Sequence, residues 1–169
     1  MIFYTKYKLQ NTRYNFFRKA KKGFTMLELL IVIGITATLS VIGISFYFNQ
    51  QKAKILENTT QEIANYLRYT QQKSISQEQG LQWGVHFENP SSGSDFYALY
   101  TGTTYSSPIE TKYLPTGIIF TTPATGNSVN VSFNKLTGTS TNQSIIIQST
   151  SNSATTTISV FSQGLITTQ

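Results

Sequence analysis

The chain has 169 residues, with 13 Lys and Arg against 7 Asp and Glu, and it contains no cysteine. The missing cysteines exclude disulfides, a thiolate nucleophile and a cysteine-based metal site. Because seven of the cations fall within residues 1–23, the remaining residues are close to neutral. We therefore do not interpret the overall positive charge as a nucleic-acid-binding footprint.

Residues 1–23 form a basic leader without an acidic residue and without an apolar core long enough for an ordinary signal peptide. A candidate cleavage site, between Gly23 and Phe24, precedes the apolar segment instead of following it. Cleavage there would leave the apolar segment on the mature protein. The cations predict that this end stays in the cytoplasm and that everything after Gln51 lies on the outer side of the membrane. They are Lys6, Lys8, Arg13, Arg18, Lys19, Lys21 and Lys22.

Residues 24–51 are predicted to form a transmembrane helix. No charged residue occurs from Leu29 to Gln51, and the one acid of the segment, Glu28, lies near its start. An acid at the centre of a membrane helix costs on the order of 2.5–3.5 kcal/mol, so a buried one needs a partner. The α-amine that cleavage would create at Phe24 is the obvious partner.

Residues 52–169 are predicted to form one extracytoplasmic α+β domain. Its spine, residues 52–79, would continue the same helix until Gly80, because apolar and small polar residues recur there at intervals of three and four. These residues are Ala53, Leu56, Thr60, Ile63, Leu67, Thr70 and Ser74.

Residues 81–169 are predicted to be mostly strand, forming one antiparallel sheet that the helix covers on one face. Trp83–Glu88 and Phe96–Tyr100 alternate and are separated by a turn, which indicates a hairpin. Residues 101–117 are predicted to be irregular, and the stretches 121–130 and 137–144 to be exposed loops. The shorter predicted strands cover residues 118–121, 129–133, 145–148, 156–161 and 165–167.

Catalytic chemistry has little support in the sequence, and we predict neither an enzyme nor a cofactor or metal site. His86 stands alone on the polar side of a predicted strand, which favours a surface or hydrogen-bonded histidine over a catalytic base. Glu88 and Asp95 flank one turn but lack the spacing of a calcium loop. Residues 136–169 contain no Lys or Arg, so nucleic-acid binding is not expected.

The junction around Gly23 resembles the processing motif of the type IV pilin and pseudopilin superfamily. The resemblance rests on Gly23, Phe24, Thr25, Leu27 and Glu28, followed by the apolar run. It implies that a prepilin peptidase cuts between Gly23 and Phe24 and methylates the new amine, and that Glu28 acts in assembly. It also implies other pilin subunits and an inner-membrane assembly platform as partners. The helix of residues 24–51 would first anchor the chain in the bacterial inner membrane and would then form part of the core of a filament.

The outer domain resembles the H-type minor pseudopilins of type II secretion and the related FimT group, the GspH/FimT family. The similar stretches are QQKSISQEQGLQWGVHF with DFYALYTG, and the terminal ISVFSQGLIT. This resemblance implies a minor subunit of a secretion pseudopilus or of a type IV pilus-like filament. The sequence leaves open a second function, an anchored pilin that binds a ligand or DNA in competence or adhesion.

Overall fold

The computed structural model describes residues 23–169, except for the side chains of residues 41–49. The rest of the predicted leader lies outside the described residues. One long helix, α1, runs from Met26 to Ile75 and is followed by a 3-10 turn at Glu78–Gly80 and eight strands. The chain divides into two compact units, Met1–Ile42 and Gly43–Gln169, so the first part of α1 is described separately from the domain that contains its second part.

In the first unit, the side chains of α1 up to Ser40 are exposed on every side of the helix. Among residues 23–169, no helix has the combination of length and hydropathy needed to cross a membrane. The membrane span over residues 24–51 stays a prediction.

In the second unit, the predicted helical pattern matches the buried face of α1. Leu56, Thr60, Ile63, Leu67, Thr70 and Ser74 are all buried, whereas Ala53, at the start of the pattern, is exposed. Because residues three and four apart share one face of a helix, this face packs against the strands. Thr60 and Thr70 satisfy their buried hydroxyls by donating to the carbonyls four residues earlier, at 2.8 Å each.

Helix α1 ends earlier than predicted, at Ile75 instead of about Gln79. Gln77 and Gln79 have positive φ values of 52° and 59°, which an α-helix cannot accommodate. The Ser74 hydroxyl accepts a hydrogen bond from the Trp83 backbone N–H at 2.8 Å, so the chain turns back at this point. Gly80 therefore ends a 3-10 turn and not the α-helix.

The strands form two four-stranded antiparallel sheets, where the sequence predicted one. The first sheet has the order β3-β2-β1-β5 and the second has the order β4-β6-β7-β8. The strands are β1 Trp83–Asn89, β2 Phe96–Thr101, β3 Glu110–Tyr113, β4 Ile118–Thr122, β5 Asn127–Phe133, β6 Gln143–Ser149, β7 Thr155–Val160 and β8 Ile166–Thr168.

The hairpin predicted from alternation is confirmed, since β1 and β2 pair from Trp83 with Thr101 to Glu88 with Phe96. The side of β1 that was predicted to be polar is nevertheless covered. Gly84 lies opposite Tyr100, and a Cβ at Gly84 would stand 2.5 Å from the buried tyrosine ring. The glycine is needed because the aromatic ring occupies the space of a side chain.

One further prediction about the strands was wrong, and one about the loops was right only in part. Strand β3 lies within the stretch predicted to be irregular, and its residues show no apolar alternation that could have revealed it. The loop predicted to be exposed over residues 137–144 contains the buried Gly138, because Gln71 of α1 donates to the carbonyls of Gly138 and Gly164 at 2.9 and 2.8 Å. Gly164 lies in the turn between β7 and β8, with φ at 85°.

Two buried polar side chains from the β1–β2 hairpin hold β4, the edge strand of the second sheet. Asn89 donates to the carbonyls of Phe120 and Pro123 at 2.9 and 3.1 Å. The Asp95 carboxylate accepts the Phe120 N–H at 2.6 Å. An edge strand presents unpaired backbone groups, and these side chains satisfy them. The two sheets and α1 share one apolar core, which includes Ile63, Leu67, Phe87, Val131, Ile145, Ile147 and Ile158.

Candidate processing and assembly site

The predicted cleavage junction lies immediately before α1 and is open to solvent. Gly23, Phe24 and Thr25 are not helical, and the Phe24 side chain is 79 % exposed. Among the described residues, a Cβ at Gly23 would meet no atom within 4 Å. Packing within the described part of the chain therefore does not require glycine at this position.

Thr25 caps the helix. Its hydroxyl accepts the Glu28 backbone N–H at 3.2 Å, and its carbonyl accepts the Leu29 N–H at 3.1 Å as the first helical hydrogen bond. Threonine followed three residues later by glutamate is the sequence pattern of a capping box. From the sequence we gave Thr25 no role apart from its place in the resemblance, although the capping-box pattern could have identified it as the N-cap.

Glu28 lies in the first turn of α1, where the partial positive charge of the helix N-terminus favours a carboxylate. Phe24, four residues earlier, stands just outside that turn. The fold thus places the predicted cleavage bond and the predicted assembly acid within one turn of each other. Cleavage, methylation and an assembly role at Gly23, Phe24 and Glu28 stay predictions.

The helix that follows the junction presents large apolar side chains to its surroundings. Each of these side chains is between half and nine-tenths exposed. They are Met26, Leu27, Leu29, Leu30, Ile31, Val32, Ile33, Ile35 and Leu39. The hydroxyls in the same stretch donate within the helix: Thr36 to the Val32 carbonyl at 2.8 Å, Thr38 to Ile35 at 2.8 Å and Ser40 to Thr36 at 2.7 Å. A helix with internally satisfied hydroxyls can enter an apolar environment without leaving these donors unpaired.

His86 is a structural histidine. It is 4 % exposed, its Nδ1 lies 2.6 Å from Asn130 Oδ1, its Nε2 lies 3.0 Å from Glu88 Oε2, and the Tyr105 ring stacks on it at 3.7 Å. The prediction of a hydrogen-bonded histidine is confirmed, but the histidine is buried and not on the surface. A cleft of about 400 Å³ adjoins His86, Glu88 and Tyr105.

Glu88 and Asp95 bind different partners, His86 and the backbone of Phe120 respectively. Within residues 23–169, no group of three or more His, Cys, Asp or Glu side chains is arranged to hold a metal ion.

The tyrosines of the domain contribute mainly to packing. Tyr97 and Tyr100 are buried, so their rings are not available to stack on a nucleic-acid base, while Tyr113 is 66 % exposed. Tyr97 donates to the Glu62 carboxylate at 3.1 Å, which also pairs with Lys112 at 3.2 Å. Burial, and then the charge of Glu62, raise the pKa of Tyr97.

Tyr66, packed edge-on against Tyr97, has a pKa that is likewise raised, first by burial and then by the Glu110 carboxylate.

Comparison with known proteins gives one family match, described as the prokaryotic N-terminal methylation motif, over residues 18–44. Two crystal structures of the type IV minor pilin FimU from Pseudomonas aeruginosa are similar to the chain at 12 % identity. Each comparison covers 68 % of this chain and 92 % or 87 % of FimU, with TM-scores of 0.48 and 0.49. No curated protein sequence matches the chain significantly.

Proposed function

We propose that this chain, whose methylation motif supports membership of the type IV pilin and pseudopilin superfamily, is a minor subunit of a pilus-like filament. That superfamily consists of structural subunits and not of enzymes. In this proposal, a prepilin peptidase removes residues 1–23 and methylates the amine of Phe24. The subunit then enters a type II secretion pseudopilus or a type IV pilus-like filament.

The observation that carries the proposal is the apolar, exposed first part of α1 directly after a capped and open junction. Leaving so many large apolar side chains in water is unfavourable, since burying each contributes roughly 1.5–3 kcal/mol. A lipid bilayer and a bundle of equivalent helices would both cover them. We propose that the bilayer does so first, with residues 1–23 in the cytoplasm, and that neighbouring subunits do so in the filament.

Glu28 supports the assembly step of this proposal. Once the chain is cut, the Phe24 amine carries a positive charge one turn from the Glu28 carboxylate. In an apolar surrounding the two charges attract strongly, and an unpaired one is costly. The pair, formed within one subunit or between neighbours, would favour the correct axial position of an incoming subunit. The assembly platform of the inner membrane is the proposed partner for this step.

The proposal is tested by expressing the full chain with a prepilin peptidase and measuring intact mass. The expected product begins at Phe24 and carries one added methyl group. Gly23→Val should block cleavage, whereas Thr38→Val, a control inside the helix, should not. A product that retains Met1, or one cut after the apolar helix, would contradict the proposal.

A further inference from the structure

The Thr25 hydroxyl determines where α1 begins relative to the scissile bond. Its hydrogen bond with the Glu28 N–H, 3.2 Å long, makes Thr25 the N-cap, and an N-cap residue has non-helical backbone angles. The residues just after it, Met26, Leu27, Glu28, Leu29 and Leu30, are all good helix formers. Nothing in those residues would stop the helix from extending toward Phe24, so its start depends on the Thr25 cap and on the residues before it.

The position of this boundary affects whether a peptidase can reach the bond between Gly23 and Phe24. Proteolysis occurs at exposed, non-helical backbone, and a bond inside a helix must first be unwound. With the cap in place, Gly23 and Phe24 stay outside the helix, and the side chain of Phe24 projects into solvent. A helix that reached Phe24 would take the backbone of the junction into its first turn.

We propose that Thr25 is a positioning residue for processing: by capping α1, it keeps the Gly23–Phe24 bond in the open form that the peptidase binds. The inference rests on the proposed cleavage at that bond. It assigns to the hydroxyl a function that depends on capping ability and not on recognition of threonine itself. Other good N-cap residues should therefore replace it.

The test compares initial rates of cleavage of the full-length membrane-inserted chain by a prepilin peptidase. Thr25→Ala and Thr25→Val should each lower kcat/KM, by at most about five-fold, because loss of an N-cap shifts the helix-end equilibrium by about that factor and the open fraction cannot fall by more. The loss should appear in KM and leave kcat unchanged, since only the fraction of chains with an open junction falls. Thr25→Ser and Thr25→Asn should retain the wild-type rate.

Thr36→Ala is the matched control, because it removes a threonine hydroxyl from the same helix, where that hydroxyl bonds only to the Val32 and Ile33 carbonyls. Its rate should equal that of the wild type. Cleavage of Thr25→Ala at the wild-type rate would overturn the inference, and so would rescue by Ser without rescue by Asn, which would indicate direct recognition of the hydroxyl. A wild-type chain that is not cut at all would overturn both this inference and the proposed function.

Discussion

Removing the amide of Asn89 should weaken the attachment of the second sheet to the first. Asn89 is 7 % exposed and donates two hydrogen bonds, to the carbonyls of Phe120 and Pro123. Each bond contributes roughly 0.5–1.5 kcal/mol, and a buried carbonyl left without a partner adds to the cost. Asn89→Ala should therefore lower the free energy of unfolding by about 2–4 kcal/mol, a large share of the roughly 5–15 kcal/mol that stabilises a domain of this size.

The assay is urea denaturation of residues 53–169, followed by the fluorescence of Trp83, the one tryptophan of the chain, which is buried. With a slope of about 2 kcal/mol per molar urea, the middle of the usual range of about 1–3, the midpoint should fall by about 1–2 M. Asn134→Ala is the matched control, since the Asn134 amide donates one hydrogen bond, to Thr139, in an exposed loop. A midpoint for Asn89→Ala equal to that of the control would show that the two Asn89 hydrogen bonds do not stabilise the contact between the sheets.

Three further outcomes are expected. Glu28→Ala and Glu28→Gln should both lower incorporation into filaments, because both remove the charge that would pair with the Phe24 amine. Equal recovery of Glu28→Gln and wild type in a filament pull-down would show that helix capping, and not the charge, is what matters at this position. Residues 53–169 should fold in solution and show no mobility shift with DNA, because the fragment has five cations against six acids; salt-sensitive submicromolar binding would favour the DNA-uptake alternative. Raising the pH above about 10 should destabilise the same fragment, because the pKa values of Tyr66 and Tyr97 are raised in the folded state, so the unfolded chain loses these protons first. Ultraviolet titration should find that the two tyrosines ionise only as the fragment unfolds, and a single transition near pH 10 for all tyrosines of the folded fragment would contradict this.

The sequence was sufficient for the parts of the fold that depend on residues close together in the chain. Helical spacing located the buried face of α1 from Leu56 to Ser74, and alternation located the β1–β2 hairpin. Side-chain direction repeats every 3.6 residues in a helix and every two in a strand, so a short stretch reveals which face is apolar. The cleavage junction and Glu28 were likewise visible as a local motif, which the family match at residues 18–44 includes.

Only the tertiary structure decided how the strands are shared between two sheets and which polar groups are buried. Strand β3 is defined by its pairing with β2, and the position of β4 against the first sheet is fixed by Asn89 and Asp95, which bind its backbone from 31 and 25 residues away. Asn130, 44 residues along the chain, and the ring of Tyr105 turn a predicted surface position into the buried site of His86. These contacts join residues far apart in sequence, and no local pattern of hydropathy records which distant partner will satisfy a given polar group.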